Sequence, residues 1–142
     1  MASGQKIRFE GFATQHGKGI FRQIVLAVQH LHRLKMCHMD ISLENVLMME
    51  DVDSEAGFYP ILADFGLVLN LSFDKDGAEQ PFSTTMKRGK IPYMSPEMLQ
   101  GMPFNGTSSD VFALGKCLIS ILTGTSRQLL GRRPFRALTM RV

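Results

Sequence analysis

Tryptophan is absent from this chain of 142 residues, and only two cysteines occur, Cys37 and Cys117. Two thiols cannot staple a small secreted scaffold, so a reducing, cytoplasmic setting is expected. No CxxC pair or Cys/His cluster with zinc spacing is present, which excludes a structural zinc module. Long apolar runs are also missing. The longest, Val111 to Leu122, is interrupted by Lys116 and is too short to span a bilayer. The opening MASGQKIRFEGF lacks the apolar core of a signal peptide. A soluble, non-exported protein with no membrane partner is the expectation. Thirteen Gly and six Pro follow no period, which excludes collagen-like and low-complexity readings.

Charge is unevenly placed. Residues 1–115 carry ten Lys and Arg against thirteen Asp and Glu, whereas residues 116–142 carry six basic residues and no acid. A basic end can attract nucleic acid. Here it has one Phe, no regular basic stripe and no nucleic-acid motif, so it reads as a solvated tail and nucleic acid is not expected as a partner. A salt-dependent gel shift requiring residues 127–141 would reverse that reading.

What remains is a globular composition, 44% apolar and 20% charged. Residues 1–18 read as an irregular segment. The stretch GFATQHGKG resembles a phosphate loop only superficially: Gly11 and Gly17 are one residue too far apart, and Gly19 follows Lys18 where Ser or Thr is needed. Ile20, Ile24, Val28 and Leu31 share one helical face and predict an amphipathic helix over about 19–35. Residues 36–45 read as a loop. Val46–Met49 and Ile61–Ala63 are strand-like and flank the acidic, turn-rich EDVDSEAGFYP, which predicts a hairpin. Asp64–Met94 reads as a long irregular stretch, of the kind usually kept for function. Pro96–Leu99 suits a short helix begun by proline. Thr107, Ser108 and Ser109 offer caps for a helix over about 109–123, apolar nearly all round and therefore expected to be buried, with Gly124 as its stop.

Three islands concentrate the chemistry: His38-Met39-Asp40-Ile41-Ser42-Leu43-Glu44-Asn45, Ala63-Asp64-Phe65-Gly66, and Gly89-Lys90-Ile91-Pro92-Tyr93-Met94-Ser95-Pro96-Glu97. Asp40 and Asn45 lie on a loop between a helix and a strand, and Asp64 follows the next strand. That order brings hard oxygen ligands from two segments toward one point, which suits Mg²⁺ and phosphate.

These islands resemble the protein kinase family. His38 to Asn45 is similar to its catalytic loop, Asp64-Phe65-Gly66 to its DFG motif, and Ser95-Pro96-Glu97 to its APE motif with Ser for Ala. Ser108, Asp110 and Val111 through Gly115 resemble the start of its long helix, whose Asp braces the catalytic loop. The resemblance covers about residues 19–124, leaving 125–142 as a basic tail. It implies a mainly α fold with a small β hairpin: the large, C-terminal lobe of a kinase, cut short at both ends and without the N-terminal lobe. It implies phosphoryl transfer from ATP to a Ser or Thr hydroxyl of a protein substrate, with Mg²⁺. Asp40 is then the base, Asn45 and Asp64 hold metal, and Leu47 lies under adenine. Phe65 packs on His38, which is structural. His16, His30 and His32 read as surface or packing residues, and the ten Met as core filler.

Several family features are absent or altered. Only 37 residues precede His38, too few for the family's glycine-rich loop, strand Lys and partner Glu, so Lys6 is not the phosphate Lys. An isolated chain of this kind is expected to be weak or inactive. Met39 replaces the Arg that receives an activation-loop phosphate, so phosphorylation of Ser83, Thr84 or Thr85 is not expected to act through residue 39. Glu97 normally pairs with an Arg, for which Arg132 or Arg133 is the candidate. Ser42 stands where Ser/Thr kinases carry Lys, and Lys90 where they carry Thr. The two side chains look exchanged, so Ser42 and Lys90 join the catalytic candidates, with Lys90 supplying the charge that Ser42 lacks. The second reading is a non-catalytic, pseudokinase-like or fragmentary interaction module.

Overall fold

The computed structural model describes residues 15–51, 58–83 and 87–123. Its elements are helix α1 (Gln15–Arg33), strands β1 (Met36–Cys37), β2 (Val46–Glu50), β3 (Phe58–Leu62) and β4 (Leu69–Asn70), and helices α2 (Pro96–Gln100) and α3 (Gly106–Thr123). Single 3₁₀ turns occupy Leu43–Asn45, Phe65–Leu67 and Ile91–Tyr93. The result is helical with two small sheets. The expected cap at Gly124, Arg132 and Arg133, Lys6, Thr84 and Thr85 lie outside the described residues.

Helix α1 forms as its apolar spacing requires. Ile20, Ile24, Val28 and Leu31 are buried against α3 and β3, each apolar side chain contributing about 1.5–3 kcal/mol. The helix begins at Gln15, four residues before the expected start. Gly17 and Gly19 depress local helix propensity, which hides the first turn from a sequence reading, but Gly17 is buried there and packing outweighs propensity.

Helix α3 also begins early, at Gly106 instead of 109. Thr107, Ser108 and Ser109 are therefore inside the first turn and are not its caps. The Asn105 carbonyl accepts the Ser109 amide at 3.0 Å, which opens the ladder. The Glu79 carboxylate accepts from the Thr107 amide and hydroxyl, satisfying an otherwise orphaned donor with a charge of the sign that a helix start prefers. The helix is not buried all round. Ala113, Leu114, Cys117 and Ile121 face the core, while Val111, Ile119 and Leu122 are more than half exposed among the described residues. An apolar pattern reports what a helix can bury, not what lies against it.

Helix α2 matches its sequence signals. Pro96 opens it, and Gly101 at φ 69° closes it, with the Met102 amide donating to Glu97 O at 2.8 Å. Such a left-handed closing residue favours glycine.

The two sheets decide where the site lies. β2 pairs antiparallel with β3 in a hairpin from Val46↔Leu62 to Glu50↔Phe58. β1 pairs with β4 through Met36↔Asn70 and Cys37↔Leu69. Residues 36–45, expected as loop, thus begin with a short strand whose partner lies more than thirty residues away, beyond the reach of local pattern. Residues 38–45 run from one sheet to the other, and so do residues 63–68. The two segments are held side by side at both ends. A second apolar cluster of Cys37, Met39, Leu71, Met98 and Phe104 packs beneath them, apart from the main core of α1, the hairpin and α3.

Candidate active site

The backbone of His38 and Met39 is fixed from α3. Asp110, 1% exposed, accepts the His38 amide at Oδ2 (2.8 Å) and the Met39 amide at Oδ1 (2.9 Å). Its Oδ2 also meets His32 Nε2 at 2.9 Å. Asp110 is thus the brace that the motif resemblance implies. His32, expected as a surface or packing residue, joins that brace through an interaction between residues 78 apart, which no local pattern signals.

His38 is fully buried, and its tautomer is set by its partners. Nδ1 accepts the Asp40 amide at 3.3 Å, which leaves Nε2 to donate to Ala63 O at 3.2 Å. Burial holds its pKa below the usual 6.5, against the pull of the Asp110, Asp40 and Asp64 carboxylates. A neutral, doubly bonded imidazole is a structural part. The Phe65 ring lies against it, centroids 5.2 Å apart.

Ala63 ties the two segments together. Its N–H donates to Asn45 O at 2.8 Å, and its carbonyl accepts from His38. Asp64 comes directly after it, at φ 63° and ψ 74°, in the left-handed region. Its Oδ1 accepts the Gly66 amide at 3.3 Å. Among the described residues its other oxygen has no hydrogen-bond partner, and the side chain is exposed. A strained carboxylate turned outward on an anchored turn is a suitable hold for a hard cation.

Asp40 and Asn45 form one cluster. Asn45 Nδ2 donates to Asp40 O and to Asp40 Oδ2, both at 2.7 Å. Among the described residues Asp40 Oδ1, buried beside Gly89, has no hydrogen-bond partner. A Cβ at Gly89 would collide with Met39 O and lie 3.4 Å from that Oδ1. At φ 86° the position suits only glycine, for both reasons. Gly89 thereby brings the next residue, Lys90, onto the loop. The Lys90 ammonium donates to Asp40 Oδ2 at 3.1 Å, Ser42 Oγ at 3.0 Å and Asn45 Oδ1 at 3.1 Å, and lies 3.5 Å from Glu44 Oε2. Ser42 is fully buried. Leu47 is half-buried on β2, opposite Ile61. All six candidates, Asp40, Ser42, Asn45, Leu47, Asp64 and Lys90, lie on or beside the paired segments. Glu44, not singled out in the sequence, belongs to the same cluster. Its solvent-facing position on a 3₁₀ turn gives no signal.

A family model for the protein kinase domain matches residues 5–131. The chain belongs to the protein kinase family. It is 38% identical over 124 residues to the serine/threonine-protein kinase PRR1 of Saccharomyces cerevisiae, covering 80% of this chain and 22% of the relative. It is 39% identical over 104 residues to human ribosomal protein S6 kinase alpha-4, covering 73% and 12%. Against mouse NUAK family SNF1-like kinase 1 it is 38% identical over 112 residues, covering 79% and 15%. The chain thus spans less than a quarter of the length of these kinases. The kinase match extends past the 19–124 expected from the sequence, into residues at both ends. No helix among the described residues is long and apolar enough to cross a membrane.

Proposed function

We propose that this chain forms the large-lobe half of a Ser/Thr protein kinase site, transferring the terminal phosphoryl group of ATP to a protein hydroxyl. The observation that supports this best is Ala63, whose two backbone bonds pin Asp64 beside the loop of Asp40 and Asn45. In this reading the Asp40 carboxylate accepts the proton of the substrate hydroxyl as that oxygen attacks phosphorus and the bond to ADP breaks. Asn45 Nδ2 fixes the rotamer of that carboxylate. Lys90 supplies positive charge beside the transferring group, which the Ser42 hydroxyl cannot. Leu47 and Ile61 offer apolar surface to adenine. Asp64 is the residue that would hold Mg²⁺, which when bound neutralises charge on the outer phosphates. Its exposed carboxylate fits a hard cation completed by phosphate oxygens and water. Asn45 Oδ1, the expected ligand of a second Mg²⁺, accepts from the Lys90 ammonium at 3.1 Å. Among the described residues no three His, Cys, Asp or Glu side chains converge as a metal site, so the nucleotide itself supplies ligands. Two unpaired, buried thiols suit the cytoplasmic setting that goes with this reading.

The test is binding followed by transfer. Titrating Mg²⁺ and ATP into the ¹⁵N-labelled chain is expected to move the amide resonances of Leu47, Asn45 and Asp64, and Asp64→Asn to remove the Mg²⁺-dependent part. Labelled phosphate from ATP is then traced into Ser- and Thr-containing peptides, with Asp40→Asn as the inactive control. Perturbations confined to another face, or none at saturating nucleotide, reject the reading.

A further inference from the structure

We propose that the Lys90 ammonium is a tethered resident cation in place of a second divalent ion, so that this site takes one metal per nucleotide and not two. The inference rests on the kinase-site reading, in which Asp64 and ATP share a metal.

An ammonium has three donors and no acceptor. Around Lys90 Nζ three oxygens lie at 3.0–3.1 Å, from an Asp carboxylate, a Ser hydroxyl and an Asn amide, and the Glu44 carboxylate stands at 3.5 Å. Two carboxylates, an amide carbonyl and a hydroxyl are an all-oxygen donor set of the kind that binds Mg²⁺. A Mg²⁺ ion would need these oxygens at about 2.0–2.1 Å. The observed distances lie in the ordinary N–H···O range of about 2.7–3.2 Å, so the pocket is filled by nitrogen.

Competition favours the ammonium. A divalent ion entering at Asn45 Oδ1 must displace a cation that is covalently part of the chain and therefore always at high local concentration. The Lys90 side chain is about one-third exposed and Asp40 about one-tenth, so screening of their mutual attraction is only partial. Lys90 cannot be diluted away, and Gly89 at φ 86° fixes the approach of its backbone. Ser42 gives the complementary reason. A Lys at 42 would place a second ammonium among the same oxygens, whereas the Ser hydroxyl accepts the bond. Lys90 is thus a positioning residue with one consequence that a merely structural role would not carry: it sets the number of metal ions.

Bound Mn²⁺ is counted by electron paramagnetic resonance in the presence of ATP, and the paramagnetic broadening of assigned resonances locates it. The wild-type chain is expected to bind one Mn²⁺ per nucleotide, broadening Asp64 and sparing the Asn45 side-chain amide beyond the general distance effect. Lys90→Met, which keeps the length and removes the charge, is expected to bind two, the second broadening Asn45 directly. A second measurement needs no variant: the ¹⁵N resonance of the Lys90 ammonium is expected to stay in place through the Mg²⁺ titration. Two Mn²⁺ in the wild type, one in a folded Lys90→Met, or displacement of the ammonium by Mg²⁺ would each overturn the inference while leaving the nucleotide site intact. Absence of any Mn²⁺ binding with ATP in either chain rejects the kinase-site reading and this inference with it.

Discussion

Asp110 Oδ1 accepts the Met39 amide at 2.9 Å while Met39 sits at φ 65°, so a carboxylate on α3 holds a bulky residue in the left-handed region. Left-handed backbone costs a non-glycine residue about 1–2 kcal/mol, and a hydrogen bond to a charged partner returns about 1.5–3 kcal/mol. The loop geometry is therefore held by a residue 71 positions away. Asp110→Asn leaves one acceptor oxygen for donors that now use two. We expect a loss of about 1–3 kcal/mol in urea denaturation, the cost of an unsatisfied buried amide. Unchanged stability would mean that the loop holds itself.

Met39 is also predicted to resist conversion to the family's usual Arg. Its side chain is 5% exposed and lies in the cluster of Cys37, Leu71, Met98 and Phe104. Met39→Arg drives a guanidinium toward an apolar cluster and is expected to lose about 3 kcal/mol or more, as for an uncompensated buried charge. A thermal melt equal to that of the parent would show that residue 39 can turn outward, and would reopen a phosphate-receiving role there.

Stability should depend on pH through His38. Burial holds its pKa below 6.5 in the folded chain, so the unfolded chain binds the proton more readily. The contribution is complete above pH 6.5 and is lost as pH falls through the folded value. Denaturation midpoints are expected to fall between pH 7 and pH 5, with a shallower slope in His38→Gln. An equal slope in the variant would assign the effect to other groups.

Gly106 meets the loop at its other end. A Cβ there would lie 2.5 Å from Cys37 Sγ and 2.9 Å from Phe82. Gly106→Ala is expected to cost about 1–3 kcal/mol by overpacking, and part of that loss should vanish in a Cys37→Ala background. Additive effects would show that the strain lies elsewhere.

Legibility in the sequence tracks the range of the interaction. Ile20, Ile24, Val28 and Leu31 announce α1 by period alone, and Pro96 with Gly101 brackets α2. The hairpin is visible in its two apolar runs, although β2 reaches Glu50 and β3 starts at Phe58. The pairing of Cys37 with Leu69 is not visible, since a two-residue strand has no period. Asp40, Asn45 and Asp64 are legible by spacing within motifs. His32 on Asp110 is not, because its partner is set by how α1 and α3 cross. Lys90 stands out because it breaks a pattern, but its approach to Asn45 Oδ1 is evident only from geometry.

The two thiols lie in different parts of the interior: Cys37 in the cluster under the loop, Cys117 in the main core. Both are fully buried, and burial pushes each up to about 12, so neither forms appreciable thiolate at neutral pH. Alkylation therefore waits on opening. Because the chain has no other cysteine, mass-resolved labelling over time would distinguish which of the two regions loosens first, without adding a probe.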